Sequence, residues 1–151
     1  MSPADALALA SRLHAGQVDK AGQPYIGHLR RVAATVYARG GSDAAQIAAA
    51  LHDAIEDRHA TAQFLADDGV PGAALFLVAL LTKAEGQPYA DYLAAIKADP
   101  DALLVKLADI EDKDLGEKAR ELLTKILLGE VHAAKVQAER FARAVACGNK
   151  R

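Results

Sequence analysis

The chain has no tryptophan, a single methionine and few aromatic residues, which make up 5% of its 151 positions. A core without large rings has to be filled by Ala, Leu, Val and Ile, a mixture that favours close-packed helices. Cys147 is the only cysteine. That excludes an intramolecular disulfide and a multi-cysteine zinc site, and it points to a reducing compartment, with the cytoplasm as the expected location. Basic residues are not in excess either, because the formal charge is −2. Such a balance gives an extended polyphosphate backbone no basic face, so no nucleic-acid partner is expected. Long apolar runs are also missing. The densest, Ile47 to Leu51 and Ala73 to Leu81, fall well short of the roughly 20 residues of a membrane span. The N-terminal stretch has no cationic segment and is interrupted by Ser11, Arg12 and His14, so neither a membrane anchor nor a secretory leader is expected.

What is present is apolar material of small size: hydrophobic residues are 52% of the chain. A chain of about 150 residues can bury roughly 68–70% of its unfolded surface in one core. The expectation is therefore a single domain over residues 1–147 followed by a short polar tail, 148–151. Ser2, Pro3 and Asp5 read as a cap, a first-turn proline and an early carboxylate, opening a helix to about His14. Gly16 and Gly22-Gln23-Pro24 mark a loop. A second helix starts near Ile26 and stops at Gly40-Gly41, and Ser42-Asp43 opens a third. A short helix spans Ala60 to Ala66, and Pro71 opens another that carries Leu75, Val78, Ala79 and Lys83. Helices then follow over Tyr89 to Ala98 and Pro100 to about Asp112, and the last runs from about Gly116 to Val145. No segment alternates with period two for long enough to be a convincing strand. The fold class is read as all-α, a compact helical bundle. No long heptad pattern speaks to oligomeric state, which stays open.

The most informative stretch is Leu51-His52-Asp53-Ala54-Ile55-Glu56-Asp57, where ionisable groups follow directly on the apolar run Ala48 to Leu51. On a continuing helix His52 and Glu56 are four apart, as are Asp53 and Asp57, so two ridges present imidazole and carboxylates together. One reading is a solvated helix end with His52 as a cap. The other is a cation site, which would resolve the cost of burying such groups. His28, at a loop-to-helix junction, and Asp109, ending the apolar run from Val105, favour the second. Together His28, His52, Asp53 and Asp109 offer two imidazoles and two carboxylates, a mixed set suited to a divalent first-row ion with open positions. Glu56 is left to orient or deprotonate an attacking water. His14 reads as a structural hydrogen bond across the loop, and His59 and His132 as solvated. Lys106 reads equally as a salt-bridged lysine and as a phosphate ligand.

Two longer motifs now carry a resemblance. The first runs from His14-Ala15-Gly16-Gln17 through Asp19-Lys20 to Pro24-Tyr25-Ile26-Gly27-His28, and the second is Ala50-Leu51-His52-Asp53-Ala54-Ile55-Glu56-Asp57. Thr82-Lys83 and Val105-Lys106-Leu107-Ala108-Asp109 follow in order. With these motifs the chain resembles the hydrolase domain of RelA/SpoT homologues, including the small alarmone hydrolases, within the HD superfamily of metal-dependent phosphohydrolases. The resemblance implies an HD-domain helical bundle in which His28, His52, Asp53 and Asp109 hold manganese, or another divalent first-row metal. It further implies that Glu56 and Asp57 handle the attacking water and that Lys20 and Lys83 approach the phosphates of a nucleotide. The implied reaction is (p)ppGpp 3′-pyrophosphohydrolysis.

Two departures bear on the substrate. The family usually has Arg-Lys after Gly-Gln, where this chain has Asp19-Lys20, and Arg-x-x-Asn after the metal aspartate, where it has Ile110-Glu111-Asp112-Lys113. An aspartate offers only acceptors and repels phosphate, whereas an arginine can stack on a base. Lys113 would add a positive charge near Asp109 and is a candidate phosphate contact. The expectation is weak activity on ppGpp and better activity on another nucleotide or small phosphate ester. A non-catalytic nucleotide-sensing module is the alternative of a different class.

Overall fold

The computed structural model describes residues 1–113 and 115–129. They form eight helices: α1 (Pro3–Leu13), α2 (Ile26–Ala38), α3 (Asp43–Leu51), α4 (Ala62–Asp67), α5 (Gly72–Leu81), α6 (Tyr89–Lys97), α7 (Pro100–Asp112) and α8 (Glu117–Leu127). Among the described residues there is no strand, and a lone bridge between Val18 and Pro24 pinches the α1–α2 loop. The fold is all-α, as the periodicity indicates. No helix of the described residues is long and apolar enough to cross a membrane.

The helix starts follow local chemistry. Ser2 and Asp5 make a reciprocal capping box ahead of α1, with the Ser2 backbone N–H donating to the Asp5 carboxylate at 2.8 Å and the Asp5 N–H to the Ser2 hydroxyl at 3.2 Å. Ser42, Thr61 and Asp99 cap α3, α4 and α7 more simply, their side chains accepting from backbone N–H groups of the first turn. Between α2 and α3 the chain turns at Gly41, where a side chain would meet the Val36 carbonyl oxygen at 2.9 Å.

Two boundaries differ from the sequence reading. Helix α5 ends at Leu81 with an extended Thr82 as its cap, so Lys83 lies beyond it. The long C-terminal helix expected from Gly116 to Val145 instead stops at Leu127, where Leu128 caps it and Gly129 takes a positive φ of 75°. The remainder of that expectation, together with His132, Cys147 and the tail 148–151, lies outside the described residues.

The centre of the bundle is α3, which packs against α1, α2, α5 and α7. Ala45, Ile47, Ala48, Ala49, Ala50 and Leu51 are all buried on it, and the three consecutive alanines are 0% exposed. A helix with so wide an apolar surface keeps little solvent face, only Asp43 at its start being exposed, and its small side chains let four neighbours approach closely. This packing brings the C-terminal end of α3 into the interior, where α2 and α7 also pass. Enlarging one of its alanines has a specific cost. Ala48→Leu is expected to destabilise the protein by roughly 1–3 kcal/mol through overpacking. Thermal denaturation should read this as a midpoint lower by several degrees, and an unchanged midpoint would mean that the bundle around α3 is loosely packed.

Candidate metal centre

Four side chains converge where α2, α3 and α7 meet. His28 stands in the first turn of α2, His52 caps the end of α3 with Asp53 next in line, and Asp109 lies in the last turn of α7. One ligand-capable atom from each lies within 4.8 Å of the others, although His28 and Asp109 are 81 positions apart. All four residues are buried, at 1–4% exposure, so the question of what balances their charge cannot be left to solvent.

The rings are aimed by their outer nitrogens. His52 Nδ1 is 2.7 Å from the carbonyl oxygen of Ala49, a group that can only accept, so Nδ1 carries the hydrogen and Nε2 faces the carboxylates. His28 Nδ1 is 2.7 Å from Asp112 Oδ2, and the other oxygen of Asp112 accepts from Arg31 Nε at 2.7 Å. That arrangement leaves His28 Nε2 at 3.0 Å and His52 Nε2 at 3.2 Å from Asp109 Oδ1. Asp53 Oδ2 lies 3.3 Å from His52 Nε2 and 3.8 Å from His28 Nε2. Bonds of about 2.1 Å to a divalent ion set neighbouring ligand atoms about 3.0 Å apart in octahedral and about 3.4 Å apart in tetrahedral geometry. The donor set and its spacing therefore fit such an ion. The carboxylate and carbonyl behind the two rings are the outer partners that metal-binding histidines need.

Cationic groups ring the two aspartates. Lys106 Nζ is 3.2 Å from Asp109 Oδ2, and Lys113 Nζ is 3.3 Å from Asp109 Oδ1 and 4.0 Å from Asp53 Oδ1. Tyr25, buried at the start of α2, donates its hydroxyl to Asp53. Burial works against both carboxylates, but His52 and Lys113 hold Asp53 well below the usual carboxylate range, and Lys113, Lys106 and His52 do so for Asp109. Burial likewise disfavours a charged His52, yet the fields of Asp53 and Asp109 outweigh it and raise its pKa to about 10. That proton is the positive charge a divalent cation would replace.

The remaining predicted residues are placed differently. The regular helix ends at Leu51; His52 still has helical backbone angles, but the chain runs through turns from 52 to 58, with Arg58 at a φ of 61°. The expected helical ridges of His52 with Glu56 and Asp53 with Asp57 are therefore not formed as such; one bond of helical span survives, from the Asp57 N–H to the Asp53 carbonyl at 2.9 Å. Glu56 is exposed, with Oε1 3.4 Å from the Lys83 backbone N–H, and the Lys83 ammonium lies 3.4 Å from the Ala84 carbonyl. Asp57 is half-buried and accepts from Gln17 Nε2 at 3.0 Å. Lys20 stands exposed on the α1–α2 loop. Asp19 builds that loop, accepting from the N–H groups of Ala21 and Gln23 at 2.9 Å each. Sequence reasoning missed Tyr25 and Asp112 as supports of the centre. Asp112 is legible in hindsight, because it follows Asp109 by three residues on the same face of α7.

The charge arrangement makes a pH-dependent contribution to stability in protein stripped of metal by a chelator. His52 has a higher pKa folded, about 10, than its ordinary 6.5. Its contribution is fully present below 6.5, shrinks as pH rises and is gone once pH passes about 10. Asp53 and Asp109 act in the opposite sense: theirs is present above the ordinary 3.8 and is lost as pH falls to their depressed folded values. Denaturant titrations across pH should show both limbs, and His52→Gln should flatten the alkaline one. An alkaline limb of full size in that variant would assign it to other groups.

Known proteins share this architecture. Residues 6–83 match the family model of the HD domain, a segment that includes His28, His52 and Asp53 and precedes Asp109. A probable GTP pyrophosphokinase of Mycobacterium leprae (strain TN) is 33% identical over 114 residues, covering 69% of this chain and 14% of that protein's length. The solved structure of a metazoan ortholog of SpoT, which hydrolyses ppGpp and plays a role in starvation responses, matches with a TM-score of 0.68 at 20% identity over 97% of this chain and 94% of that one. That likeness is one of fold. With the family model spanning more than half the chain, the chain belongs to the HD-domain family.

Proposed function

We propose that this HD domain, taken as residues 1–147, is a manganese-dependent phosphohydrolase acting on a nucleotide. The observation that carries the reading is the convergence of His28, His52, Asp53 and Asp109, with both imidazole Nε2 atoms turned toward two buried carboxylates. When bound there, a divalent cation supplies a Lewis acid for a phosphoryl oxygen and lowers the pKa of water. The chain's own groups do the rest. Glu56, exposed on the turn after His52, takes the proton of the attacking water. Asp57, held by Gln17, orients that water. Lys83, beside Glu56, and Lys20 on the α1–α2 loop meet the substrate's phosphates, and Lys113, already within 3.3 Å of Asp109, adds positive charge at the centre. Applied to a guanosine 3′-diphosphate such as ppGpp, the water would attack the phosphorus bonded to the ribose 3′ oxygen, that P–O bond would break, the 3′ oxygen would take up a proton to become a hydroxyl and pyrophosphate would be released.

A second substrate reading, another nucleotide or small phosphate ester, is favoured by Asp19. Its carboxylate is engaged with the loop backbone, so the α1–α2 loop offers an anion where the alarmone hydrolases have a stacking arginine. A manganese-supplemented hydrolysis screen over guanine and adenine nucleotides with 3′- or 5′-phosphates separates these. The expected result is turnover of at least one member, with ppGpp a poor substrate. Metal binding without turnover across the whole panel would favour a nucleotide-sensing module.

Two variants test the division of labour. His52→Ala should lose manganese affinity, because it removes a ligand and frees the others. Glu56→Gln should keep the ion and slow turnover by roughly 10²–10⁴-fold. Near-normal turnover in Glu56→Gln would move the proton transfer to Asp57.

A further inference from the structure

We infer that His14, Asp57 and His59 form a second divalent-cation site, with the side-chain oxygen of Gln17 as a fourth ligand. The residues come from two segments brought together by the packing of α1 on α3: His14 caps α1 and Gln17 follows it, while Asp57 and His59 lie on the turn after α3. His14, Asp57 and His59 each offer a ligand atom, and these atoms lie within 4.8 Å of one another. Gln17 Oε1 sits between the rings, 2.7 Å from His14 Nδ1 and 2.6 Å from His59 Nε2, and its Nε2 is 3.0 Å from Asp57 Oδ2.

Hydrogen bonding to Gln17 leaves part of this cluster unpartnered. Both ring nitrogens face one amide oxygen, at and just below the short end of the N–H···O range, about 2.7–3.2 Å. His14 is 2% exposed, and its other nitrogen, Nε2, is buried without a hydrogen-bond partner. The ring's bonding capacity is therefore not used up by Gln17. Burial also pushes the His14 pKa down, which keeps the ring in the neutral form that binds metals. Asp57 brings a negative charge, and the field of Asp53 reaches the same ring. His59 is exposed, so an ion has a path in from solvent. Two imidazoles, a carboxylate and an amide oxygen suit ions such as cobalt, zinc or manganese.

The site shares a wall with the first centre. The Tyr25 ring lies 5.2 Å from that of His14 while its hydroxyl meets Asp53, and the Asp57 N–H bonds the Asp53 carbonyl at 2.9 Å. A cation on Asp57 would add positive charge beside the same turn and so favour a substrate carrying more than one phosphate.

Cobalt(II) bound per chain, counted after equilibrium dialysis of the untagged full chain and followed by its visible spectrum, tests this directly. Wild type should bind two equivalents, and His59→Ala and His59→Gln one each. Glutamine can still hydrogen-bond Gln17 but offers only a weakly donating amide oxygen in place of an imidazole nitrogen, so its loss of an equivalent marks coordination and not a hydrogen-bond network. An unchanged cobalt count in both His59 variants overturns the inference, whatever the wild-type value. His52→Ala reports on the first centre independently: an equivalent lost there but not in the His59 variants upholds the proposed function alone, and the reverse pattern upholds the second site alone.

Discussion

Two carboxylates, Asp53 and Asp109, are buried where α2, α3 and α7 meet, and the surrounding arrangement answers the cost of placing negative charge there. His28 and His52 turn their Nε2 atoms toward Asp109, Lys106 and Lys113 approach it from the sides, and Tyr25 donates to Asp53. Three of these partners, His28, His52 and Lys106, are themselves held. Asp112 and the Ala49 carbonyl fix the two rings, and the ammonium of Lys106 lies 5.6 Å from the centre of the Tyr92 ring, whose hydroxyl donates to the Leu81 carbonyl. Such a network is stable only when its members are all satisfied, so the rigidity of the bundle and the chemistry of its centre are the same property.

The scaffold supplies that rigidity through small side chains. Helix α3 carries no charged group from Ala44 to Leu51 and is surrounded by four other helices, so its C-terminal end opens inside the protein. A helix end presents unpaired carbonyls, and His52 uses one of them, that of Ala49, to set its own orientation. The polar turn that follows then leads outward, from buried Asp53 through half-buried Asp57 to exposed His59. One short stretch thus spans the distance from core to solvent and can connect a buried centre to a substrate arriving from outside.

Helix starts were legible in the sequence because caps are local: Ser2 with Asp5, Ser42, and Asp99 with Pro100 each announce a helix within a few residues. The four central residues were legible because ionisable groups at the ends of apolar runs are costly unless they meet. Other features depend on distant packing and left weaker traces. The turn beginning at His52 replaces the helix that spacing alone suggests, and nothing within residues 52 to 57 forces it. Tyr25 reads as an ordinary buried aromatic until Asp53 is seen beside it. Lys83 falls outside α5 because the helix stops two residues short of it, at Leu81, and Gly129 ends α8 although the apolar pattern before it is unbroken. His59 reads as a surface residue and is one, but its ring also reaches Gln17 across 42 positions.

The central claim is that His28, His52, Asp53 and Asp109 together bind a divalent cation. Anomalous diffraction at the manganese edge, from crystals of the full chain grown with the ion, tests it most directly. The account predicts an anomalous peak bonded to the Nε2 atoms of His28 and His52 and to carboxylate oxygens of Asp53 and Asp109, with His52 Nδ1 still on the Ala49 carbonyl. A fully occupied manganese peak elsewhere, with none among these four side chains, would contradict it.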